Sequence, residues 1–300
     1  MSDVGEGALP AATDRLRRHR LRLGTRRVLL LEGPCGWGEC SPFDGYPCSP
    51  SAALAAATEA AARPWPVPLR QVVPVNALVS DPGFDRASLA GFPSVKVKVG
   101  RADRARDLAL VSEVRDAVGP SVALRVDANG AWDEDTAQWM LARLAPFGLE
   151  LAEQPVSSIE SMSRLRRKVD VPLAADECVR SVEDARRLHR LDAADAVVLK
   201  VQPCGGMWQA LHIAEASAVP AVVTTMMETS VGIAVALHLA ASLPEVPYAC
   251  GLATAGALGD DVTREPLVAT DGLMRMRRVE PDPGLLAALA DPSSSDEPGS

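Results

Sequence analysis

The chain has 300 residues, is 47% hydrophobic and carries a formal net charge of −8 at pH 7. This length and apolar content allow a large buried core, whereas the acidic balance and the scattered arginines argue against a nucleic-acid-binding protein. No apolar stretch reaches about 18 residues without a charge or a proline, and no charged and apolar leader opens the chain, so we expect a cytoplasmic protein without a membrane span.

Short apolar runs typical of β-strands recur between residues 73 and 251, and helical segments lie between most of them. The runs lie near residues 73–79, 94–99, 121–127, 149–153, 171–176, 195–200, 219–225 and 246–251. Eight strands that alternate with helices predict a (β/α)₈ barrel, in which catalytic groups gather at the C-terminal ends of the strands. An open doubly wound sheet is the alternative, although no glycine-rich phosphate motif follows the first run.

The second run carries two of the four lysines in a chain that has 27 arginines. In Ser94-Val95-Lys96-Val97-Lys98-Val99 the alternation places both ammonium groups on one face and three valines on the other. A third lysine, Lys200, ends the sixth run. Lysine can be tuned to exchange a proton near neutral pH, whereas arginine cannot. These lysines are therefore candidates for proton transfer, and an edge strand protected by lysines is the structural alternative.

Three further runs each end in a carboxylate. They end at Asp127, Glu153 and Asp176, which are 26 and 23 residues apart, a spacing that suits a helix and a returning strand. On a barrel these carboxylates converge with the lysines at one mouth. Three hard oxygen ligands without His or Cys suit Mg²⁺, with Mn²⁺ as a substitute, and disfavour a site for softer transition metals.

Taken in order, these residues resemble the enolase superfamily, and within it the muconate-lactonizing-enzyme-like branch. The resemblance covers roughly residues 25–280 and rests on the motifs Lys96-x-Lys98, Arg125-x-Asp127-x-Asn129, Glu153-Gln154-Pro155, Asp176-Glu177 and Lys200. Sites of this superfamily use a Lys or His base together with Mg²⁺. The resemblance therefore implies that a proton is removed from the carbon next to a carboxylate group.

The nearest likeness is to the o-succinylbenzoate synthase family of the actinobacterial type. It rests on Gly36-Trp37-Gly38-Glu39-Cys40-Ser41-Pro42-Phe43, Asp127-Ala128-Asn129-Gly130-Ala131-Trp132 and Glu228-Thr229-Ser230-Val231-Gly232. This likeness implies a Mg²⁺-dependent dehydratase of menaquinone biosynthesis. Such an enzyme converts 2-succinyl-6-hydroxy-2,4-cyclohexadiene-1-carboxylate to o-succinylbenzoate by syn elimination of water through an enediolate.

The resemblance also implies a role for each candidate residue. The expected metal ligands are Asp127, Glu153 and Asp176, with Glu177 supporting them. The expected catalytic residues are Lys98 as base and then acid, Lys96 beside it, and Lys200 as a cation on the opposite face. The expected substrate-binding residues are Arg125, Asn129, Thr225 and Ser230. The substrate is a small-molecule carboxylate, no nucleic acid or membrane partner is expected, and the oligomeric state stays open, a monomer being compatible.

The same likeness implies two domains. Residues 1–70 are expected to form an N-terminal capping domain and residues 71–262 the barrel, with residues 263–285 returning to the cap to complete an α+β lid. Lids of this kind exclude water and carry specificity. Residues 286–300 are expected to be a disordered tail, because the stretch from Asp291 onwards has no core-forming residue.

Two other functions remain open. An N-succinylamino acid racemase or a dipeptide epimerase would use Lys98 and Lys200 to exchange protons on opposite faces of one carbon. A dipeptide epimerase is expected to carry Asp-x-Asp after the eighth strand to hold an ammonium group, and the sequence there is Cys250-Gly251-Leu252-Ala253-Thr254. A barrel without catalytic activity is the other open interpretation, although all the polar strand-end residues are present.

Overall fold

The protein is described here by a computed structural model that covers residues 16–292. The strands are β1 (Arg17–Leu23), β2 (Arg26–Gly33), β3 (Gly36–Cys40), β4 (Val72–Pro74), β5 (Ala77–Val79), β6 (Ser94–Lys98), β7 (Ala123–Asp127), β8 (Leu149–Glu153), β9 (Leu173–Ala175), β10 (Ala196–Leu199), β11 (Ala221–Val223) and β12 (Leu273–Arg275). The helices are α1 (Pro50–Ala62), α2 (Arg104–Val118), α3 (Glu134–Leu144), α4 (Ile159–Arg166), α5 (Val182–Arg190), α6 (Val201–Cys204), α7 (Met207–Ser217), α8 (Ser230–Ser242) and α9 (Pro283–Ala288).

The N-terminal segment is an antiparallel three-stranded sheet covered by one helix. Strands β1, β2 and β3 pair in sequence order, and α1 packs against the sheet. Its helix is rich in alanine, and five alanines on its inner side are buried. Close approach depends on Gly38, because a Cβ atom there would stand 2.0 Å from the carbonyl oxygen of Ala57. Small residues on both sides therefore allow the helix to lie directly on the sheet.

The larger part of the chain is a curled parallel sheet whose seven strands alternate with helices. The strand order is β5, β6, β7, β8, β9, β10 and β11, so each strand lies beside its predecessor in the sequence. The helices begin where the sequence offers caps: Ser158 and Ser181 form capping boxes at α4 and α5. The main hydrophobic core lies between the sheet and these helices. Six of the predicted strands, from the second to the seventh, are thereby confirmed.

The first and eighth predicted strands differ from expectation. The run 73–79 is divided, since β4 pairs antiparallel with β12 and only β5 joins the parallel sheet. The run 246–251 forms no regular strand, and instead Cys250 and Gly251 make single parallel bridges to Val75 and Thr224 at the two edges of the sheet. Proline explains the short pairing, because Pro244 and Pro247 cannot donate to a ladder.

The C-terminal part returns to the N-terminal sheet. After α9, Leu289 accepts a hydrogen bond from the Arg22 N–H (2.8 Å), and the Asp291 N–H donates to Arg20 (2.9 Å). Residues 286–292 are therefore folded against β1, and the expected disordered tail from residue 286 is wrong for this part. Its remainder, residues 293–300, lies outside the described residues. Between residues 16 and 292, no helix is long and apolar enough to cross a membrane.

Two glutamates of the N-terminal segment cap helices of the larger part. Glu39, on β3, accepts hydrogen bonds from the backbone N–H groups of Thr229 and Gly232 (both 3.1 Å) at the start of α8. Glu59, on α1, accepts one from the Met207 N–H (2.6 Å) at the start of α7. The first N–H groups of a helix lack partners within it and favour a negative charge. These carboxylates therefore fix the N-terminal segment over the two helices.

A buried set of polar side chains continues this contact towards the strand ends. The Gln202 side chain accepts a hydrogen bond from the Ser41 N–H (2.8 Å) and donates one to Glu228 (2.9 Å). The Ser41 hydroxyl in turn donates to Glu39 (2.7 Å). We refer to Glu39, Ser41, Gln202 and Glu228 as the junction network. All four are at most 3% exposed, so the network joins the two parts without access to water.

Candidate active site

The register of the parallel strands brings the predicted polar residues to one edge of the sheet. Lys98 stands opposite Asp127, and Asp127 stands opposite Glu153, at the ends of β6, β7 and β8. Asp176 follows β9 and Lys200 follows β10 directly. Lys96 lies two residues before Lys98 on the same face. We refer to Lys96, Lys98, Asp127, Glu153, Asp176 and Lys200 as the strand-end cluster.

Each carboxylate of the cluster is paired with an ammonium group. The Lys96 Nζ lies 2.9 and 3.0 Å from the two Glu153 oxygens and 3.1 Å from Asp127 Oδ2. The Lys98 Nζ donates to Asp127 Oδ2 (2.6 Å), and the Lys200 Nζ donates to Asp176 Oδ2. The exposed fraction of the side chain is 32% for Lys98, against 10% for Lys96 and 7% for Lys200. Among the three lysines of the cluster, Lys98 is therefore the most accessible to a bound molecule.

The charges of the cluster shift the pKa values of its members in opposite directions. Burial disfavours the ammonium of Lys96, but Glu153 and Asp127 outweigh burial and hold its pKa above the usual value. Burial also opposes ionisation of Asp127, yet Lys96 and Lys98 hold its pKa below the usual range. Burial, and then the charge of Asp127, raises the pKa of Glu153 to about 7. A further positive charge near Glu153 would therefore favour its ionised form.

The donor chemistry of the three carboxylates fits a hard divalent cation. Asp127, Glu153 and Asp176 are at most 4% exposed and offer only oxygen ligands, which Mg²⁺ prefers. In this conformation the ammonium groups lie on them, and among residues 16–292 no three acidic, His or Cys side chains are spaced to hold a metal ion. A cation would therefore have to take the place of lysine contacts on carboxylates that are already gathered at one edge.

A cavity of about 320 Å³ opens beside the cluster. Its polar lining includes Lys96, Lys98, Lys200, Asn76, Asn129, Thr224, Thr225 and Thr254, and its apolar lining includes Phe43, Leu78, Met226, Met227 and Ala253. Among residues 16–292, no carboxylate lines the cavity. The cavity lining thus combines cations with apolar side chains, which suits an anion that carries a hydrocarbon ring.

Of the four predicted substrate-binding residues, two line the cavity and two do not. Asn129 and Thr225 are lining residues. Arg125 is 2% exposed, and it donates to Glu150 (2.5 Å) and to the Ala249 carbonyl (2.7 Å) instead. Ser230 is fully buried, and its hydroxyl donates to Asp261 (2.5 Å). The structure therefore places Arg125 and Ser230 outside the cavity lining, with hydrogen-bond partners inside the protein, and their contact with a substrate stays a prediction.

Asn129 connects two of the predicted residues. Its Oδ1 accepts a hydrogen bond from the Lys98 Nζ (2.8 Å), and its Nδ2 donates to Glu177 (2.8 Å). Asn129 has a φ of 46°, a left-handed conformation that asparagine tolerates better than most residues. Glu177, next to Asp176, is thereby linked to Lys98 across the cavity edge. Its expected role in supporting the metal ligands stays a prediction.

Several residues of the site gave no signal in the sequence. Tyr46 lies in the loop after β3, and its hydroxyl donates to Asp176 Oδ1 (2.6 Å) and accepts from the Lys200 Nζ (3.0 Å). Arg180 donates to the Asp176 carbonyl (2.7 Å). Thr254 shares a hydrogen bond of 2.8 Å with Thr225. These residues come from distant parts of the chain and belong to no motif, so only the fold brings them to the site.

Comparison with known families covers most of the chain. Residues 84–291 match the family described as Enolase C-terminal domain-like. Residues 17–61 match the family described as Enolase N-terminal domain-like. The first match includes the whole strand-end cluster, and the second includes the three-stranded sheet with nearly all of α1. The two matches together therefore account for both parts of the fold.

Three curated proteins with similar sequences carry the same name. An o-succinylbenzoate synthase of Thermobifida fusca is 46% identical over 271 residues, which is 88% of this chain and 86% of that protein. The o-succinylbenzoate synthase of Mycolicibacterium smegmatis is 45% identical over 276 residues, or 89% of this chain and 85% of that protein. The o-succinylbenzoate synthase of Mycobacterium ulcerans is 42% identical over 95% of this chain and 91% of its own.

Solved structures support the fold. A muconate cycloisomerase from Pseudomonas fluorescens superimposes with a TM-score of 0.80 at 24% identity, over 92% of this chain and 98% of its own. A dipeptide epimerase from Enterococcus faecalis gives a TM-score of 0.71 at 22% identity, over 87% of this chain and 95% of its own. At these identities the likeness establishes the fold alone. The strand-end cluster and the sequence relatives have to carry any argument about chemistry.

Proposed function

The chain belongs to the enolase superfamily, and within it to the family of the o-succinylbenzoate synthases; from this premise we propose that it is a metal-dependent dehydratase. Its substrate would be 2-succinyl-6-hydroxy-2,4-cyclohexadiene-1-carboxylate and its product o-succinylbenzoate, a step of menaquinone biosynthesis. The observation that carries this proposal is the cavity whose lining combines three lysines with apolar side chains. Such a cavity suits a carboxylate attached to a six-membered ring.

We propose Mg²⁺ as the cofactor, with Mn²⁺ as a substitute, and Asp127, Glu153 and Asp176 as its ligands. When bound, the ion would supply Lewis-acid stabilisation of negative charge on the substrate carboxylate. The support is the donor chemistry of three buried carboxylates gathered at one edge of the sheet. Glu177 would hold the edge of this site through Asn129, which also contacts Lys98.

Lys98 would move the proton. In its neutral form it would remove the proton from the carbon that bears the carboxylate, and the C–H electron pair would pass into the carboxylate to give an enediolate. The same group, now an ammonium, would return that proton to the departing hydroxyl, so that the C–O bond breaks, water leaves on the same face and the ring becomes aromatic. Its greater exposure among the three lysines of the cluster supports this role.

The other two lysines would remain cations. Lys96 is held between Glu153 and Asp127, which keep its pKa high despite burial, so it would contribute charge rather than transfer a proton. Lys200 follows β10, which lies three strands away from β7 in the curled sheet. It would stabilise the anion from the other face. Asn129 and Thr225 line the cavity and would contact the substrate.

We also propose that the curled sheet is a (β/α)₈ barrel with an α+β cap. The two bridges of Cys250 and Gly251 to opposite edges of the sheet support closure. The cap would comprise residues 1–70 together with residues 263–285, and the barrel residues 71–262. The support for this division is that residues 289–291 pair with β1 and that Glu39 and Glu59 hold the N-terminal segment on α8 and α7.

A racemase or epimerase is the competing function, since lysines on two faces could exchange protons at one carbon. Dipeptide epimerisation is disfavoured because no carboxylate lines the cavity to receive the ammonium group of a dipeptide. Lys200→Arg separates the remaining two reactions. Arginine keeps the charge but cannot act as a second base, so dehydration should remain measurable whereas racemisation would disappear.

The direct test is to incubate the Mg²⁺-loaded protein with the cyclohexadiene acid and, separately, with N-succinylamino acids in D₂O. We expect the aromatic product to form, detected by its ultraviolet absorbance, at a rate far above any deuterium exchange. Rapid exchange and racemisation without dehydration would replace the proposed function with that of a racemase.

A further inference from the structure

Tyr46 is a buried residue of the N-terminal segment that reaches the strand-end cluster. It is 9% exposed, and its hydroxyl lies between the Asp176 carboxylate and the Lys200 ammonium. The Lys200 Nζ also lies over the Tyr46 ring, 4.2 Å from its centroid. Arg180 donates to the same hydroxyl, and its guanidinium lies 5.1 Å from the ring centroid. One side chain thus contacts Lys200 through both its hydroxyl and its ring.

The loop that carries Tyr46 is held from both sides. At its start, the Ser41 N–H donates to the Gln202 side chain (2.8 Å), and Gln202 follows Lys200 by two residues. Arg26 donates to the Ser41 carbonyl (2.5 Å) and lies over the Phe43 ring at 4.3 Å. At the end of the loop, Ser49 caps α1. Because these contacts fix the loop against α6, the position of Tyr46 depends on how the N-terminal segment docks.

The hydrogen-bond roles at Tyr46 follow from the chemistry of its hydroxyl. A phenol has one proton to donate and two lone pairs to accept with. Its proton goes to Asp176, so both lone pairs face the ammonium and the guanidinium. A cation over an aromatic face gains further electrostatic attraction, and more when it is shielded from water. Tyr46 would therefore keep a partner for the Lys200 ammonium whenever Asp176 binds another cation.

We propose that Tyr46 is a positioning residue for Lys200, so that the N-terminal segment helps to set the electrostatics of the reaction as well as covering the cavity. This inference rests on the proposed function, in which the Lys200 ammonium stabilises the anion. Tyr46 also lines the cavity, and the inference assigns its hydroxyl to Lys200 and Asp176 rather than to the substrate. Removing the hydroxyl should consequently affect turnover more than substrate binding.

The kinetic test compares Tyr46→Phe with Tyr248→Phe, because these are the two tyrosines of the chain. Tyr248 packs against the small cluster of Leu151, Ala174, Ala196, Val198 and Val222 and does not line the cavity. We expect kcat to fall roughly 10- to 100-fold in Tyr46→Phe, the range for one hydrogen bond to a charged group, with KM changed less than about 3-fold. Tyr248→Phe should keep both constants. An unchanged kcat in Tyr46→Phe would overturn the inference.

A second readout does not depend on activity. The chain has four lysines, so protein labelled with ¹⁵N at the lysine Nζ gives at most four ammonium signals, which Lys96→Arg, Lys98→Arg, Lys168→Arg and Lys200→Arg assign. We expect Tyr46→Phe to shift the Lys200 signal and speed its hydrogen exchange, because the ammonium loses an acceptor, while Tyr248→Phe leaves it in place. An unmoved Lys200 signal would overturn the inference.

The two readouts also separate this inference from the proposed function. If the wild-type protein dehydrates the cyclohexadiene acid but Tyr46→Phe matches it, the inference fails and the proposed function stands. If the wild-type protein does not dehydrate this acid, the proposed function fails, and the Lys200 ammonium signal alone then decides whether Tyr46 holds that group.

Discussion

The strand-end cluster and the junction network are both buried and both contain carboxylates, yet they satisfy them differently. In the strand-end cluster every carboxylate is paired with a lysine ammonium. In the junction network Glu39 accepts only from backbone N–H groups and from the hydroxyls of Ser41 and Thr229, and Glu228 accepts from an amide and a backbone N–H. The carboxylates of the first cluster form ion pairs with lysines, whereas those of the second bond neutral donors, with the Arg26 guanidinium near both.

This difference separates a site whose ion pairs can be exchanged from a site whose hydrogen bonds are fixed. A lysine side chain is flexible and can leave a carboxylate when a substrate or a cation replaces it. Backbone N–H groups at a helix start are fixed, so a carboxylate bound to them holds two elements together. The strand-end cluster can therefore take part in a reaction, whereas the junction network holds the N-terminal segment in place.

The largest effect should come from Lys98, the lysine of the cluster most open to the cavity. Lys98→Ala should lower dehydration by about 10²–10⁴-fold, the range for a positioned general base, and by more if the same group also returns the proton. Lys98→Arg should be nearly as inactive because arginine keeps the charge without the proton transfer. The control is Lys168→Ala, at an exposed lysine. A fast Lys98→Arg enzyme would move the base to another lysine.

The junction network should respond in stability. Glu39→Ala leaves the N–H groups of Thr229 and Gly232 and two hydroxyls without their acceptor, and each unsatisfied buried donor costs about 1–3 kcal/mol. We expect the free energy of unfolding to fall by about 4 kcal/mol in urea denaturation. Glu32→Ala, at a half-exposed residue of β2, should change it by less than about 0.5 kcal/mol. Equal losses in the two variants would show that Glu39 does not dock the segment.

A smaller effect concerns pH. Burial, and then the charge of Glu39, raises the pKa of Glu228 from 4.5 to about 7. Between these values the folded protein keeps a proton that the unfolded chain has lost, so stability should fall as pH rises from about 4.5 to about 7 and then level off. Relative to Glu228→Gln, the wild type should lose about 2 kcal/mol in free energy of unfolding between pH 5 and pH 8, measured with a chelator present. Parallel pH profiles of the two proteins would contradict this assignment.

The same contrast explains which parts of the structure could be predicted from the sequence. The strand-end cluster was predictable because the C-terminal ends of parallel strands meet at one edge, which places Asp127 beside Lys98 and Glu153. Alternation indicates a face but not a depth, so the pattern could not show that Arg125 is 2% exposed and bonded to Glu150. Ser41 contacts Gln202, and Tyr46 contacts Asp176, although the partners lie far apart in the chain. No local pattern in the sequence predicts these contacts.

The proposed function requires the carboxylates of the strand-end cluster to exchange lysine contacts for a catalytic cation. The most direct measurement is dehydration of the cyclohexadiene acid by exhaustively chelated protein during titration with Mg²⁺, compared with Asp127→Asn and Glu153→Gln. We expect activity to fall to background on chelation and to return with Mg²⁺ in the wild type only, all three proteins remaining folded by circular dichroism. Full activity in the chelated wild type, or full restoration in either variant, would contradict the claim.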